Sequence, residues 1–507
     1  MSSVLFSEVQ ADGWQEVGSK RILKADAVII GSGPGGASIA KELAEAGMKV
    51  VVIESGPSKS NFRPNYAHTA RYHMQENGSM LTRGNTMFPI AAGKGVGGST
   101  LINSALSFRA PDHILDSWAT ELQTPEWSAD SMRPIYDEIS KLIGVATTPV
   151  GVSGKNNDLI VRGIKKLGWD GGLAPRSTPG CVGCGICYFG CPSSGKASAN
   201  LTLLPLACKH DCLIQAEVEV TNILIQAGRA VGIEGIAVNP ETKKQTGTLR
   251  VDADMVFCCA GGIGTPRLLH FSGLAPQLGE KLGYGLHVHP GNTLIGICDE
   301  KIEMWKGATQ GAYCHPPELP GVLPHTFSAP PEACLIAAGY IGASFQKGLE
   351  LLPYMCGMLV MVSDKGNGTV SSYSDGRAKI EYNFHPDDVE RIKKGLVAVA
   401  KILLAGGAKE LRGPIHNLGS IYSVEELEQK LSSKSIHDFT LYAAHPMGTC
   451  RISNSLKTGV LQPNGETYGI KNLFVADASV FPTSLGVNPQ LSTYAVATQI
   501  ARMFLEN

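Results

Sequence analysis

The pattern of apolar and polar positions between Asp26 and Glu54 predicts a β–α–β unit. The β-branched apolar run 27–30 is followed by glycine, which is typical of a strand buried in a parallel sheet. Small and apolar residues then recur at helical spacing as far as Gly47, and a second apolar run, 50–53, follows Lys49 and precedes Glu54. We therefore expect a strand, a helix packed on it through small residues, and a second strand.

The rest of the chain predicts an α/β protein, α+β overall, with a separate antiparallel part. Residues 111–145 have an amphipathic helical pattern, 213–259 have the pattern of a β-meander, and 291–440 alternate as strands do. The individual elements predicted are strands Glu217–Ile225, Arg229–Val238, Thr246–Arg250, Met255–Cys259 and Leu473–Ala476, and helices Pro386–Gly406 and Leu491–Leu505. A chain of 507 residues exceeds one ordinary core, so at least two domains are expected.

Composition narrows the class of protein. The chain is 43% hydrophobic and 18% charged, its net charge is −1, and it has no long Lys/Arg block, so we expect neither nucleic acid nor an anionic membrane as partner. No apolar run is long enough for a transmembrane segment, and residues 1–8 lack the basic and apolar regions of an export signal. These features predict a cytoplasmic protein, although a partner subunit carrying the signal for both chains would allow a periplasmic one. Thirteen cysteines then indicate reduced thiols or a metal cluster before disulfides.

The turn after the first predicted strand carries the dinucleotide-binding pattern. Gly31 permits a tight turn, Gly33 lets a pyrophosphate approach the backbone, and Gly36 lets helix and strand pack closely. Glu54 ends the second strand 18 residues after Gly36, where a carboxylate can bond ribose hydroxyls. This pattern alone does not distinguish NAD from FAD. A second glycine-rich stretch, Gly93–Asn103, either touches the ligand as well or is a loop without a ligand.

Four cysteines form the second chemical pattern. Cys181, Cys184, Cys187 and Cys191 have the spacing C-x₂-C-x₂-C-x₃-C-P, which is that of bacterial ferredoxins, so we predict an iron–sulfur cluster. A [4Fe–4S] cluster is favoured over a [3Fe–4S] one, and Cys191 is the least certain ligand. A structural zinc site and a set of unmetallated thiols remain the alternatives.

Several motifs in order make the chain resemble the glucose–methanol–choline (GMC) family of FAD-dependent oxidoreductases. The motifs are Gly31–Glu54, Gly93–Asn103, Gly261–Leu269, His445–Arg451, Leu473–Val480 and Gly486–Gln490. The resemblance implies a Rossmann-like FAD-binding domain assembled from discontinuous segments, and a substrate domain with an antiparallel sheet and flanking helices. The implied division is 1–145, 201–290 and 441–507 for the FAD-binding domain, 146–200 for a cysteine-cluster insertion, and 291–440 for the substrate domain.

The resemblance also implies roles for single residues. His445 matches the catalytic histidine, and an imidazole suits a base that takes a hydroxyl proton near neutral pH. Asn488 matches the second active-site position, where an amide orients the hydroxyl. The residues implied to contact FAD are Gly98, Ser99, Asn103, Val220, Asp477, Pro489 and Gln490. His287 and His289, two apart, have the spacing of metal ligands on one strand face, but packing is the preferred interpretation of His289.

Together these features predict an FAD-dependent alcohol dehydrogenase. Hydride from an alcohol goes to FAD, and electrons leave through the cluster to an acceptor protein or a quinone, with a hetero-oligomeric partner subunit as a further expectation. Some multi-subunit dehydrogenases of the family carry such a centre. The alternatives are an oxygen-using alcohol oxidase in which the cysteines or a zinc are structural, and a catalytically idle electron-transfer subunit.

Overall fold

The β–α–β unit is present in the computed structural model, which describes residues 8–14, 18–366 and 368–506. It consists of β1 (Ser19–Ile30), α1 (Pro34–Glu45) and β2 (Val50–Ile53). The two strands are parallel, with Ala27 opposite Val50. Strand β1 begins before the predicted run because residues 19–25, although partly exposed, pair along another strand of the sheet. Residues 1–7, which carry most of the segment examined for an export signal, lie outside the described residues.

The other strands and helices follow in chain order. The strands are β3 Val145–Thr147, β4 Asp170–Leu173, β5 Pro175–Ser177, β6 Leu213–Gln215, β7 Val218–Gln226, β8 Arg229–Val238, β9 Gln245–Cys258, β10 Tyr284–Leu286, β11 Gly291–Cys298, β12 Ala312–His315, β13 Val322–Thr326, β14 Met355–Val362, β15 Gly368–Ser372, β16 Ala378–Tyr382, β17 Ala408–Arg412 and β18 Leu473–Val475. The helices are α2 Tyr66–His73, α3 Asp112–Leu122, α4 Ala129–Leu142, α5 Val150–Ser153, α6 Lys155–Leu167, α7 Leu203–Cys208, α8 Gly261–Phe271, α9 Ala275–Leu278, α10 Pro331–Ala337, α11 Phe345–Leu351, α12 Pro386–Gly406, α13 Val424–Ser432 and α14 Gln490–Leu505.

The first sheet contains the dinucleotide unit. Its strand order among the described residues is β6-β2-β1-β9-β8-β7, and β18 also pairs with β9. Strands β6, β2, β1, β9 and β18 run parallel, whereas β7, β8 and β9 form the predicted antiparallel meander. One prediction was wrong: 246–250 and 255–259 are not two strands, since 245–258 is the single strand β9. Val251 and Ala253 continue its buried face and pair with β1, so the chain does not turn between them.

The second sheet is antiparallel and carries the predicted helix α12 on one face. Its order is β17-β11-β14-β13-β12-β4. Strand β4 comes from the 146–200 segment and pairs with β12, so part of that segment belongs to this sheet. A smaller sheet, β10-β15-β16, lies apart from it. The first sheet lies in one hydrophobic core and most of the second sheet in another, although Leu323, Leu359 and Met361 of the second sheet pack into the first core.

One further difference concerns the helices. The amphipathic pattern 111–145 forms two helices, α3 and α4, because Gln123 ends α3 in the left-handed conformation and Pro125 follows. Across 8–14, 18–366 and 368–506, no helix combines the length and apolarity needed to span a bilayer.

Candidate active site

The turn between β1 and α1 is built around close backbone approaches. Gly31 has a φ of +101°, and a Cβ on Gly36 would lie 1.9 Å from the Gly31 carbonyl oxygen. Helix α1 begins at Pro34 with Gly33 as its N-cap, so no side chain covers its first N–H groups. A helix start of this kind offers those groups to a phosphate.

Glu54 joins this turn to the second glycine-rich stretch. Its carboxylate accepts hydrogen bonds from the Ser32 hydroxyl at 2.6 Å, from Gly56 N–H at 2.8 Å and from Gly95 N–H at 3.2 Å. A Cβ on Gly98 would lie 2.7 Å from the Cα of Gly33. The two glycine-rich stretches are therefore neighbours, as the dinucleotide prediction requires, and Glu54 orders both of them.

A third segment reaches the same place from the C-terminal part of the chain. A Cβ on Gly35 would lie 2.1 Å from the Ala476 carbonyl oxygen, so α1 packs directly on the end of β18. The Asp477 carboxylate accepts from Gly261 N–H at 2.8 Å and from the Thr265 hydroxyl at 2.6 Å. Burial raises the pKa of Asp477. Segments far apart in sequence thus meet at the N-terminus of α1.

The other residues predicted to bind FAD lie on several different elements. Ser99 lies in the short 3-10 helix Gly98–Leu101, and its hydroxyl accepts from Gly93 N–H at 2.8 Å. The amide of Asn103 donates to the side chain of Gln490, the first residue of α14, which Pro489 caps. Val220 is buried in β7, beside Glu219, whose carboxylate lies 3.4 Å from Arg267 of α8. Val220 pairs with Gly235 of β8, and Val218, two residues before it on β7, donates to the Glu54 carbonyl oxygen at 3.0 Å.

His445 and Asn488 are brought together although 43 residues separate them. The Nδ2 atom of Asn488 lies 3.2 Å from Nε2 of His445. The segment that carries His445 is tied to the start of the second sheet through bridges from Tyr442 to Gly291 and from Met447 to His287. Burial lowers the pKa of His445 well below its usual value, and the nearby imidazoles of His289 and His325 lower it further. This imidazole is therefore neutral at neutral pH, as a base must be.

Behind His445 lies a buried polar network that the sequence did not predict. The Nδ1 atoms of His289 and His445 are 3.3 Å apart, and Nε2 of His289 lies 2.8 Å from the Ser484 hydroxyl. His289 therefore contacts the candidate base. Asp364, the second residue after β14, accepts hydrogen bonds from Val288 N–H, His289 N–H and the Tyr382 hydroxyl.

The charge of Asp364 is stabilised by this network. Burial alone would raise the pKa of its carboxyl, but the hydrogen bond and charge of His287 hold that pKa well below its usual value. Nδ1 of His287 lies 3.0 Å from the Asp364 carbonyl oxygen, whereas the ring nitrogens of His289 face His445 and Ser484. The two rings therefore do not point at a common metal position. The one sequence signal for Asp364 was an acidic residue just after a long apolar run. Ser484 and His325 carried no local signal.

The four cysteines of the predicted cluster differ in their surroundings. Cys187 is buried, with Sγ 3.4 Å from a guanidinium nitrogen of Arg176, whereas Cys184 is exposed. Burial would raise the pKa of Cys187, but the charges of Arg176 and Lys196 lower it. Over the described part of the chain, no three His, Cys, Asp or Glu side chains converge in a way that could hold a metal ion. The geometry therefore gives no support to the iron–sulfur prediction, nor to structural zinc.

Comparison with known proteins identifies the family. The family model "GMC oxidoreductase" matches residues 70–291 and 364–497, and the model "FAD binding domain" matches 24–80. An uncharacterised GMC-type oxidoreductase of Mycobacterium tuberculosis is 34% identical over 489 residues, which cover 95% of this chain and 76% of that protein. The chain belongs to the GMC oxidoreductase family. The long-chain-alcohol oxidase FAO4A of Arabidopsis thaliana is 30% identical over 517 residues, covering 94% of this GMC protein and 68% of the relative.

Solved structures show the same fold. Pyridoxine 4-oxidase from Mesorbium loti superimposes with a TM-score of 0.73 at 19% identity, covering 95% of this GMC oxidoreductase and 99% of that chain. A formate oxidase gives a TM-score of 0.74 at 17% identity, covering 97% and 99%. The predicted fold class, a Rossmann-like FAD domain with an antiparallel second sheet, is confirmed. The prediction of FAD is confirmed as well. The close backbone approach of Gly33 and Gly98 at the start of α1 fits the pyrophosphate of that cofactor.

Proposed function

We propose that this GMC oxidoreductase oxidises an alcohol to a carbonyl compound, with His445 as the base and Asn488 orienting the hydroxyl. The observation that carries the proposal is the His445–Asn488 pair, at 3.2 Å, between the FAD-binding turn and the second sheet. A neutral imidazole beside an amide is suited to take a hydroxyl proton while the amide holds the oxygen. The presence of both residues argues against an idle electron-transfer subunit.

Different residues would bind FAD and take the substrate proton. FAD, when bound, accepts the hydride from the carbon that bears the hydroxyl. The N-terminus of α1, with Gly33 and Gly98, would hold its pyrophosphate, Glu54 its ribose, and Gln490 would lie beside its ring. His445 breaks the substrate O–H bond by taking the proton at Nε2, the ring nitrogen nearest Asn488. Asn488 keeps the hydroxyl oxygen within reach of that nitrogen.

We propose primary alcohols with an alkyl chain as the substrate class and oxygen as the electron acceptor. The support is the named activity of the Arabidopsis relatives, several of which are long-chain-alcohol oxidases. This is the oxidase alternative of the sequence analysis. The dehydrogenase that passes electrons to a protein or quinone acceptor stays the second candidate, supported by the C-x₂-C-x₂-C-x₃-C spacing and by the cationic surroundings of Cys187.

The test of the chemistry is anaerobic mixing of the FAD-loaded protein with straight-chain primary alcohols while flavin absorbance is followed. The wild type should bleach, and His445→Ala should slow bleaching by roughly 10²–10⁴-fold, the usual contribution of a positioned base, with FAD content unchanged. His210→Ala, at an exposed histidine, is the matched control and should behave as wild type. Bleaching at the wild-type rate in His445→Ala would remove this histidine from the mechanism.

The acceptor is tested in the second half of the same experiment. Reduced protein mixed with oxygen should return to the oxidised spectrum and release hydrogen peroxide in a 1:1 ratio to flavin. Slow reoxidation by oxygen, fast reoxidation by a one-electron acceptor, and iron with acid-labile sulfide in anaerobically purified protein would favour the dehydrogenase instead.

A further inference from the structure

We propose that His289 is a proton-relay residue for His445, and that Ser484 and Ser363 continue the relay towards the protein surface. The inference rests on the proposed function, because it concerns the proton that His445 takes from the substrate. It gives His289 a positioning role that neither the sequence motifs nor the comparisons assign.

The first step is the protonation state of His289 in the resting protein. The backbone N–H of Gly486 points at Nε2 of His289 from 3.1 Å. A backbone amide can only donate, so this Nε2 carries a lone pair and no proton. A neutral imidazole has one N–H, and burial lowers the pKa of His289 to about 4, so the ring is neutral at neutral pH. The proton of His289 is therefore on Nδ1.

The second step fixes the state of His445. Nδ1–H of His289 donates to Nδ1 of His445 across 3.3 Å. That acceptor nitrogen has no proton of its own, so the proton of neutral His445 lies on Nε2, facing Asn488. In the resting protein His445 thus presents a donor to the active site.

The amide of Asn488 agrees with this polarity in one of its two orientations. Its Oδ1 atom is buried and has no hydrogen-bond partner among the described residues, while Nδ2 faces Nε2 of His445. The oxygen and nitrogen of an amide are assigned from the hydrogen-bond network. Turning the amide by 180° lets Oδ1 accept the Nε2 proton of His445 and places Nδ2 at the position that has no partner among the described residues. Every bond from Gly486 to Asn488 then has one donor and one acceptor.

The proton movement follows from these two end states. In the base form, His445 is protonated on Nδ1 and donates to Nδ1 of His289, whose own proton is on Nε2 and is donated to Ser484. In this form Nε2 of His289 cannot accept from Gly486 N–H, so the bond between them is broken until the resting state returns. When Nε2 of His445 takes the substrate proton, the Nδ1 proton of His445 passes to Nδ1 of His289. The Nε2 proton of His289 passes to the Ser484 oxygen at 2.8 Å. One proton enters, one leaves, no electrons move, and the product is the resting state with Nε2 of His289 bonded to Gly486.

The exit and the surrounding charges suit this path. The hydroxyls of Ser484 and Ser363 are 3.0 Å apart, and Ser363 is half-buried at the end of β14. The titratable groups facing the two imidazoles are Asp364, His287 and His325. Asp364 is the anion among them, and its charge favours the imidazolium that exists briefly during each transfer. The reverse movement passes a proton from Ser484 to Nε2 of His289 and from Nδ1 of His289 to Nδ1 of His445, while Nε2 of His445 releases its proton, which restores the base form.

The kinetic test uses Ser484, which touches neither substrate nor His445 in this scheme. In anaerobic mixing of the FAD-loaded protein with a primary alcohol, Ser484→Ala should slow flavin reduction about tenfold, part of the roughly 10²–10⁴-fold of a positioned base. The solvent deuterium isotope effect should rise, and the alcohol concentration giving half-maximal rate should not change. Ser484→Thr keeps the hydroxyl and should restore both rate and isotope effect. Ser371→Ala, on β15, is the control. A rate loss with an unchanged isotope effect, or one that Thr does not restore, would overturn the relay.

The second test does not depend on turnover. Nitrogen-15 NMR of the histidine-labelled holoprotein distinguishes protonated from bare ring nitrogens, and His289→Gln and His445→Gln assign the signals. We expect a proton on Nδ1 of His289 and on Nε2 of His445, in both wild type and Ser484→Ala. A proton on Nε2 of resting His289 would overturn the inference. If no alcohol reduces the flavin of the wild type, the proposed function fails, while the NMR result still decides the resting state.

Discussion

The three histidines at the candidate site make the protein sensitive to acid. Burial lowers the pKa of His289 and of His325 to about 4 from 6.5, and that of His445 well below 6.5. In the unfolded chain, these imidazoles therefore take up protons as the pH falls through about 6.5. In the folded chain, the imidazoles of His289 and His325 stay neutral until about pH 4. Their contribution to stability is complete above the unfolded pKa and is lost as the pH falls.

The size of the effect follows from the two pKa values. For a histidine that titrates at about 6.5 unfolded and about 4 folded, lowering the pH from about 7.5 to about 5 costs about 2 kcal/mol of unfolding free energy. His325→Gln removes one such group. The unfolding free energy that this variant loses between about pH 7.5 and about pH 5 should therefore be about 2 kcal/mol smaller than the loss of wild type. At about 2.1 cal/mol/K per residue, this corresponds to about 2 °C in Tm for a chain of 507 residues.

The assay is the thermal unfolding midpoint by tryptophan fluorescence at a fixed excess of FAD, at several pH values. Carboxylates titrate alike in wild type and variant, so the difference between the two curves isolates one imidazole. Gln keeps a polar group for the side chain of Gln310, which lies 3.2 Å from Nδ1 of His325. The control is His315→Gln, at an exposed position, which should leave the pH dependence unchanged. If Tm falls by the same amount in wild type and His325→Gln as the pH is lowered, His325 is not a buried neutral imidazole with a lowered pKa.

Three further predictions concern other parts of the molecule. Gly36→Val should yield protein with little bound FAD, because its Cβ would lie 1.9 Å from a backbone oxygen of the turn. The control Gly151→Ala has open space around its Cβ and should bind FAD normally. The flavin absorbance of the purified proteins measures the difference. Tyr382→Phe removes a 2.6 Å hydrogen bond to the Asp364 carboxylate and should lower the free energy of unfolding, measured in urea, by about 1.5–3 kcal/mol. Cys184→Ser, at an exposed thiol, should leave both flavin reduction and reoxidation by oxygen unchanged in rapid mixing, and slowed reoxidation would contradict the oxidase proposal.

The fold was predictable where it depends on local pattern. The β–α–β unit follows from a β-branched run, a glycine turn and helical spacing, all within about 30 residues, and α12 has the bounds read from the sequence. The continuous strand β9 was missed because 251–254 are mixed in polarity, and only pairing with β1 on one side and β8 on the other keeps them extended. The β1 partner, Leu23 opposite Val251, lies 228 residues away, so the local pattern carries no trace of it.

The site was predictable only as far as motifs mark it. His445 and Asn488 are in motifs, but the network behind them joins Asp364 to His289 and His289 to Ser484, contacts that span 75 and 195 residues. Nothing in the local sequence of these residues indicates that they meet. The packing interpretation of His289 also failed to anticipate its contact with the candidate base, because that contact depends on the turn that brings Gly486 and Ser484 to the second sheet.

The C-x₂-C-x₂-C-x₃-C spacing is compatible with a cluster-binding loop and also with a loop that packs against the protein. In a ferredoxin-like loop, the glycines between the thiols let the backbone wrap around a cluster. Here the same glycines let the loop pack against the protein: a Cβ on Gly185 would lie 1.9 Å from the Trp305 carbonyl oxygen, and one on Gly190 would lie 2.0 Å from the ring of Phe62. These contacts fix the loop with Cys187 turned to Arg176 and Cys184 turned to solvent. The spacing alone therefore does not determine a metal site.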